Sequence, residues 1–139
     1  MTIITLDLSS ASMLGGSDGR FYKPLINLPF GQKVKVISVV SLVSIANASI
    51  SPYMYVYSNL INNQSYDTLT NGTTSLLQSL DLVNHINSAG VSTYYTDSNM
   101  IQFDTVIPET ITIEKRTGIN RTLLNDSTSF HIRICFEII

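Results

Sequence analysis

Alternation of apolar and polar residues at a period of two restricts the possible folds of this sequence more than any other feature. In SFHIRICFEII, residues 129–139, Phe130, Ile132, Ile134, Phe136 and Ile138 hold one parity, and His131, Arg133, Cys135 and Glu137 the other. Successive side chains of a strand point to opposite faces, so this pattern predicts a strand with one buried face. MTIITLDLSS at the start reads the same way, with Ile4, Leu6 and Leu8 opposite Thr5, Asp7 and Ser9.

Between these two segments the same signature recurs, divided by turn chemistry. SMLGGSDGR is loop by composition, and Phe21 to Leu28 make a short strand that Pro24 and Pro29 push to an edge or a bulge, since neither can donate to a ladder. KVKVISVVSLVSIA, 33–46, is rich in β-branched residues, but its parity is broken. Val34 and Val36 share a face with Val40 and Leu42, while Ile37, Val39, Val43 and Ile45 take the other. Either both faces are covered, a neighbouring subunit being one cover, or the strand bends at a bulge near Ser38.

YMYVYSNLI, 53–61, alternates Tyr53, Tyr55 and Tyr57 with Met54 and Val56. NNQSYDTLTNGTT reads as loop, and SLLQSLDLVNHINSAG fits a short helix and a strand equally well. VSTYY and MIQFDTV read as a hairpin around the turn TDSN; ETITIEKR and RTLL read as another around TGIN. No internal repeat and no linker divides the chain, so residues 1–139 are expected to form one domain.

Eight or nine short strands with at most one short helix predict an all-β fold, a two-sheet antiparallel β-sandwich. With no tryptophan and a single cysteine, the Cys…Trp…Cys core of an immunoglobulin sandwich is absent, and the jelly-roll type is expected. In that topology the last strand lies inside a sheet, paired on both sides.

Composition excludes several functions. A net charge of −2 without any Lys/Arg run is not the basic stripe of a nucleic-acid module. Lys33 and Lys35, and the group Lys115, Arg116 and Arg121 around a turn, read as solvated charge. The longest apolar stretch is far short of the roughly 20 residues of a membrane span. The start lacks the basic and apolar blocks of a secretory signal, so synthesis without secretion is expected, and the five N-glycosylation sequons are read as compositional. Two histidines and one cysteine build no zinc site, and no calcium-loop spacing occurs, so neither metal nor cofactor is expected. Cys135 has no partner within the chain and reads as a small apolar filler.

Catalysis is not expected either. There is no nucleophile elbow around any serine, and GGSDG lacks the Lys and following helix of a phosphate loop. Glu114 and Glu137, on the polar sides of two late strands, would have to face each other across a cleft to act as a glycosidase pair. More informative is the tyrosine row: Tyr53, Tyr55 and Tyr57, with Val39 and Val43 of the doubly apolar strand, are the candidate subunit interface. Tyr94, Tyr95, Asp97 and Asn99, at the expected hairpin tip, are the candidate ligand site, suited to stacking on and hydrogen-bonding a sugar.

The order YMYVYSNLI, polar loop, SLLQSLDL, hairpin, ITIEKRTGINRTLL and SFHIRICFEII resembles the small single jelly-roll structural proteins of double-stranded DNA viruses of the virophage and polinton-like kind. The resemblance covers about residues 30–139 and is carried most by YVYSNLI and the glycine turn before the last strand. It implies a virion component: a penton, minor capsid or vertex protein working as a ring or trimer, or, better suited to this length, a cement protein or fibre head. The partners implied are copies of itself, as trimer or pentamer, and other capsid proteins. On the same fold, a receptor- or carbohydrate-binding head is the alternative.

Overall fold

The computed structural model describes residues 2–15, 19–45, 53–61, 65–81, 93–99, 103–117, 120–123 and 130–139. The described residues hold twelve strand segments: β1 (Ile3–Ser9), β2 (Leu14–Gly15), β3 (Arg20–Pro24), β4 (Lys33–Ile45), β5 (Tyr53–Ser58), β6 (Ser65–Asp67), β7 (Gly72–Thr74), β8 (Leu76–Asp81), β9 (Thr93–Asn99), β10 (Phe103–Val106), β11 (Thr110–Thr117) and β12 (Phe130–Ile138). Among the described residues the helical content is one 3-10 turn, Ser10–Ser12.

One sheet runs β1-β12-β4, with β10 and β9 both on the far side of β4; the other runs β2-β3-β11-β5-β8. β9 and β10 pair end to end along the 13-residue β4, Asn99 opposite Val39 and Phe103 opposite Val36, and act as one interrupted strand. With β2 as a short extension and β6–β7 as an inserted hairpin, eight strands remain, and they pair first with eighth, second with seventh, third with sixth and fourth with fifth. That nested antiparallel order, 1-8-3-6 over 2-7-4-5, is the jelly roll. Closing strand β12 is paired on both sides, with β1 and β4, as expected for a jelly roll.

The core lies between the two sheets. Leu8, Val34, Val36, Val39, Ile132, Ile134 and Phe136 come from one, and Phe21, Met54, Val56, Leu80, Ile111 and Ile113 from the other. Phe21 and Phe130 meet edge-on across the gap, ring centroids 4.8 Å apart and planes at 89°. A buried polar contact also bridges the sheets, the Ser41 hydroxyl donating to the Gln78 side-chain carbonyl.

Three expectations are corrected and two open alternatives are decided. The broken parity of β4 comes from a bulge. Val36 faces Phe136 and Ser38 faces Cys135, so Ile37 is the extra residue, and the inward set passes from Val34 and Val36 to Val39 and Ser41. Val39 is consequently fully buried in the chain's own core and is not an interface residue. TDSN is not a turn: Thr96 to Asn99 are paired with β4, because a ladder partner of sufficient length overrides the turn preference of Asp, Ser and Asn. Lys115 is not solvated. It shares parity with Ile111 and Ile113, so the register that buries them carries it inward, where it is 1% exposed with its ammonium 5.4 Å from the Phe21 ring centre. Finally, Leu76–Asp81 is strand, paired with β5; residues 82–90 lie outside the described part.

Candidate ligand-binding groove

Among the described residues, the outer face of the second sheet carries the most developed polar constellation. β11 turns Thr112, Glu114 and Arg116 outward between the buried Ile111, Ile113 and Lys115, and β5 turns Tyr55 and Tyr57 outward between Met54 and Val56. Register sets Glu114 beside Tyr57 and Arg116 beside Tyr55. A second bulge, with Leu77 extra between Leu76 opposite Tyr57 and Gln78 opposite Val56, buries Leu77 and leaves Leu76 on the outer side.

The hairpin β6–β7 forms the wall of this face. Its turn is made locally: the Asp67 carboxylate accepts the Leu69 N–H at 2.9 Å, and Asn71, at φ 53°, supplies the left-handed residue before Gly72. Opposite it, the chain leaving β11 folds back, with the Thr117 N–H donating to the Thr122 carbonyl at 2.9 Å and Arg121 at φ 60°. Arg116 holds this return by donating to the Arg121 carbonyl at 2.8 Å.

Arg121 then reaches across to Asp67, donating to both carboxylate oxygens, and its guanidinium lies 4.3 Å from the centre of the Tyr55 ring. Charge-assisted bonding by Arg121, helped by the Leu69 N–H, holds the Asp67 carboxyl below its ordinary value, while burial pushes the Tyr57 phenol up. Glu114 is bridged by Arg116 at 3.1 Å and by Arg20 at 3.5 Å. At the mouth, the Asn59 amide donates to the Thr110 carbonyl at 2.7 Å and accepts the Thr112 N–H at 3.0 Å, extending the β5–β11 ladder with a side chain. The open groove has a volume of about 490 Å³, and a recess of about 170 Å³ beside it is lined by Tyr55, Tyr57 and Tyr66.

Of the sequence-predicted site residues, the half-buried Tyr57 lines this groove and the half-buried Tyr55 the recess beside it, their rings 6.4 Å apart. Tyr53 opens the same strand opposite Asp81, and Val43 pairs with Phe130; their side chains lie outside the described part. Tyr94, Tyr95, Asp97 and Asn99 lie along β9 against β4, in the other sheet, and their side chains too are outside it. Glu114 and Glu137 point outward from different sheets, on opposite faces of the sandwich, and share no cleft. His131 and Arg133 both contact Asp7 across the β1–β12 pair, at 3.2 and 2.9 Å. Among the described residues no three His, Cys, Asp or Glu side chains are grouped to hold a metal, and no helix is long and apolar enough to cross a membrane.

Fold and surface together define a single jelly-roll β-sandwich carrying a polar groove. No family model matches the sequence, and no curated protein matches it. Among solved structures the chain is similar to the C-terminal CBM6 of the laminarinase LamC from Zobellia galactanivorans, with 15% identity over 94% of this chain and 98% of that one and a TM-score of 0.49. It is also similar to the tomato aspermy virus protein, with 17% identity over 99% and 78% and a TM-score of 0.40. A third likeness is to a chain of the cyanophage Pam1 capsid asymmetric unit, with 10% identity over 99% and 84% and a TM-score of 0.41.

Proposed function

We propose that this chain is a non-enzymatic structural protein of a double-stranded DNA virus, a capsid-associated component of the virion that assembles with copies of itself and with other capsid proteins. The observation that carries this reading is the apolar end of the sandwich. The turn between β3 and β4 displays Ile26 at 78% and Phe30 at 72% exposure, and Val106 and Ile139 are also largely exposed. The turn is fixed where it stands: Leu25 donates to the Glu109 carbonyl and Gly31 to the Ile107 carbonyl, both at 2.9 Å, and Ile107 donates back to the Gln32 carbonyl at 3.0 Å. Ile139 donates to the Lys33 carbonyl, bringing the chain's last residue to the same end.

Large apolar side chains held out together at one end on a hydrogen-bonded scaffold are what a symmetric assembly would cover. A charged content of 13% makes the surrounding surface inexpensive to desolvate. Light scattering behind size exclusion tests the reading. A trimer or pentamer is expected, converted to monomer by the double change Ile26→Ser and Phe30→Ser; a wild-type monomer at high concentration refutes it.

A further inference from the structure

Beyond that structural role, we infer that the groove between β11, β5 and the β6–β7 hairpin is a binding site for a neutral, hydroxyl-rich ligand, a short oligosaccharide. Its volume of about 490 Å³ falls within the roughly 300–1,000 Å³ usual for small-molecule sites. Its polar groups come in matched pairs, Asp67 with Arg121 and Glu114 with Arg116, so the charges of these four cancel. A guanidinium has five N–H donors, more than either pair consumes in its own bridge, and the hydroxyls of Thr70, Thr73, Thr74 and Thr112 in the lining can both give and accept. The groove therefore offers donors and acceptors side by side, which suits hydroxyl groups that both give and accept. An anion such as phosphate would bring its negative charge against the two carboxylates, Asp67 and Glu114.

The aromatic part of the site points the same way. A pyranose has an apolar C–H face and a hydroxylated edge, and here the rings of Tyr55, Tyr57 and Tyr66 adjoin the paired charges. The polar groups are also ordered before any ligand arrives. Arg121 is held at once by Asp67 and by the Tyr55 ring, and Arg116 by Glu114 and the Arg121 carbonyl, so little side-chain freedom is lost on binding. This site lies on the sheet opposite to Tyr94 and Tyr95 and shares no residue with the apolar end.

Amide shift mapping on the full chain tests the assignment, with cellohexaose, laminarihexaose, maltohexaose and N-acetyllactosamine as neutral probes and inorganic phosphate as the anionic one. At least one neutral probe is expected to shift Tyr57, Thr112, Glu114 and Arg116, and phosphate to leave them unmoved. Glu114→Gln, on an outward side chain, is expected to weaken the neutral probe about tenfold and to admit phosphate, because Arg116 loses its counter-charge. Silence from all four neutral probes, shifts confined to another surface, or phosphate binding to the wild type would each overturn the inference.

Discussion

Deleting single residues from β4 tests the assignment of its parity break to a bulge at Ile37. Val36 opposes Phe136 and Ser38 opposes Cys135, so removing Ile37 joins an inward residue directly to an outward one and leaves a regular ladder against β12. Val34, Val36 and Val39, each fully buried, keep their places. The loss is the half-buried Ile37 side chain, about 1 kcal/mol if a fully buried one is worth about 1.5–3 kcal/mol. Removing Val40 is different. The least costly repair is to use up the bulge, pairing Ile37 with Cys135, which turns Ser38 into the core and Val39 out to solvent. Exposing Val39 costs about 1.5–3 kcal/mol, and burying an unmatched serine hydroxyl about 1–3 kcal/mol more, giving about 3–6 kcal/mol. Whole domains are stable by only about 5–15 kcal/mol, so the second deletion is near the limit of folding. Urea denaturation separates the two. With a slope of about 1–3 kcal/mol per molar, the Val40 deletion lowers the midpoint by at least about 1 M and the Ile37 deletion by much less. Equal losses, or a larger loss on deleting Ile37, would refute the bulge and with it the explanation of the doubly apolar pattern.

Two further outcomes follow from the packing and the charges. Phe21 and Phe130 link the sheets edge-on, so Phe21→Leu and Phe130→Leu should show a coupling of about 0.5–1.5 kcal/mol in a double-mutant cycle; strict additivity would deny the ring contact. Asp67 and Asp7 are both held below their ordinary value of 3.8, by Arg121 and the Leu69 N–H in one case and by Arg133 and His131 in the other. A depressed carboxyl stabilises the fold above its unfolded value and loses that contribution as pH falls through its folded value, so the loss is expected below about pH 4. Asp67→Asn should lower the urea midpoint at neutral pH and flatten its decline in acid; an unchanged acid profile would show that the pair contributes nothing.

Period-two patterning made much of this fold legible because a sandwich strand with one wet face leaves its burial written in the sequence. β1, β11 and β12 follow that rule, and the missing tryptophan and second cysteine directed the reading to a jelly roll. Legibility failed where a residue's partner is distant. Nothing local to TDSN reveals that β4 is long enough to pair with it, and nothing local to Lys115 outweighs its charge until Ile111 and Ile113 set the register. The groove was half visible, since Tyr55 and Tyr57 were singled out by their period-two row, there read as a candidate subunit interface. Asp67 was passed over in a segment read as loop, although Asn71-Gly72 is a hairpin signal that would have placed β6 and β7 on either side of it. Its pairing with Arg121, 54 residues on, is a tertiary fact.

The nested order of strands explains why one small sandwich can hold two unrelated surfaces. Pairing first with eighth and third with sixth puts Ile139, Lys33 and Val106 at one end of one sheet, and the turn between the second and third strands delivers Ile26 and Phe30 to that same end. Pairing second with seventh and fourth with fifth puts Glu114, Arg116, Tyr55 and Tyr57 on the outer side of the other sheet. The hairpin that walls the groove is inserted between the fourth and fifth strands, and the return loop that closes it follows the seventh. Neither insertion takes part in the ladder that carries the apolar end, so contacts made there leave the groove's paired charges in place. The apolar end and the polar groove thus draw on different side chains of a shared core.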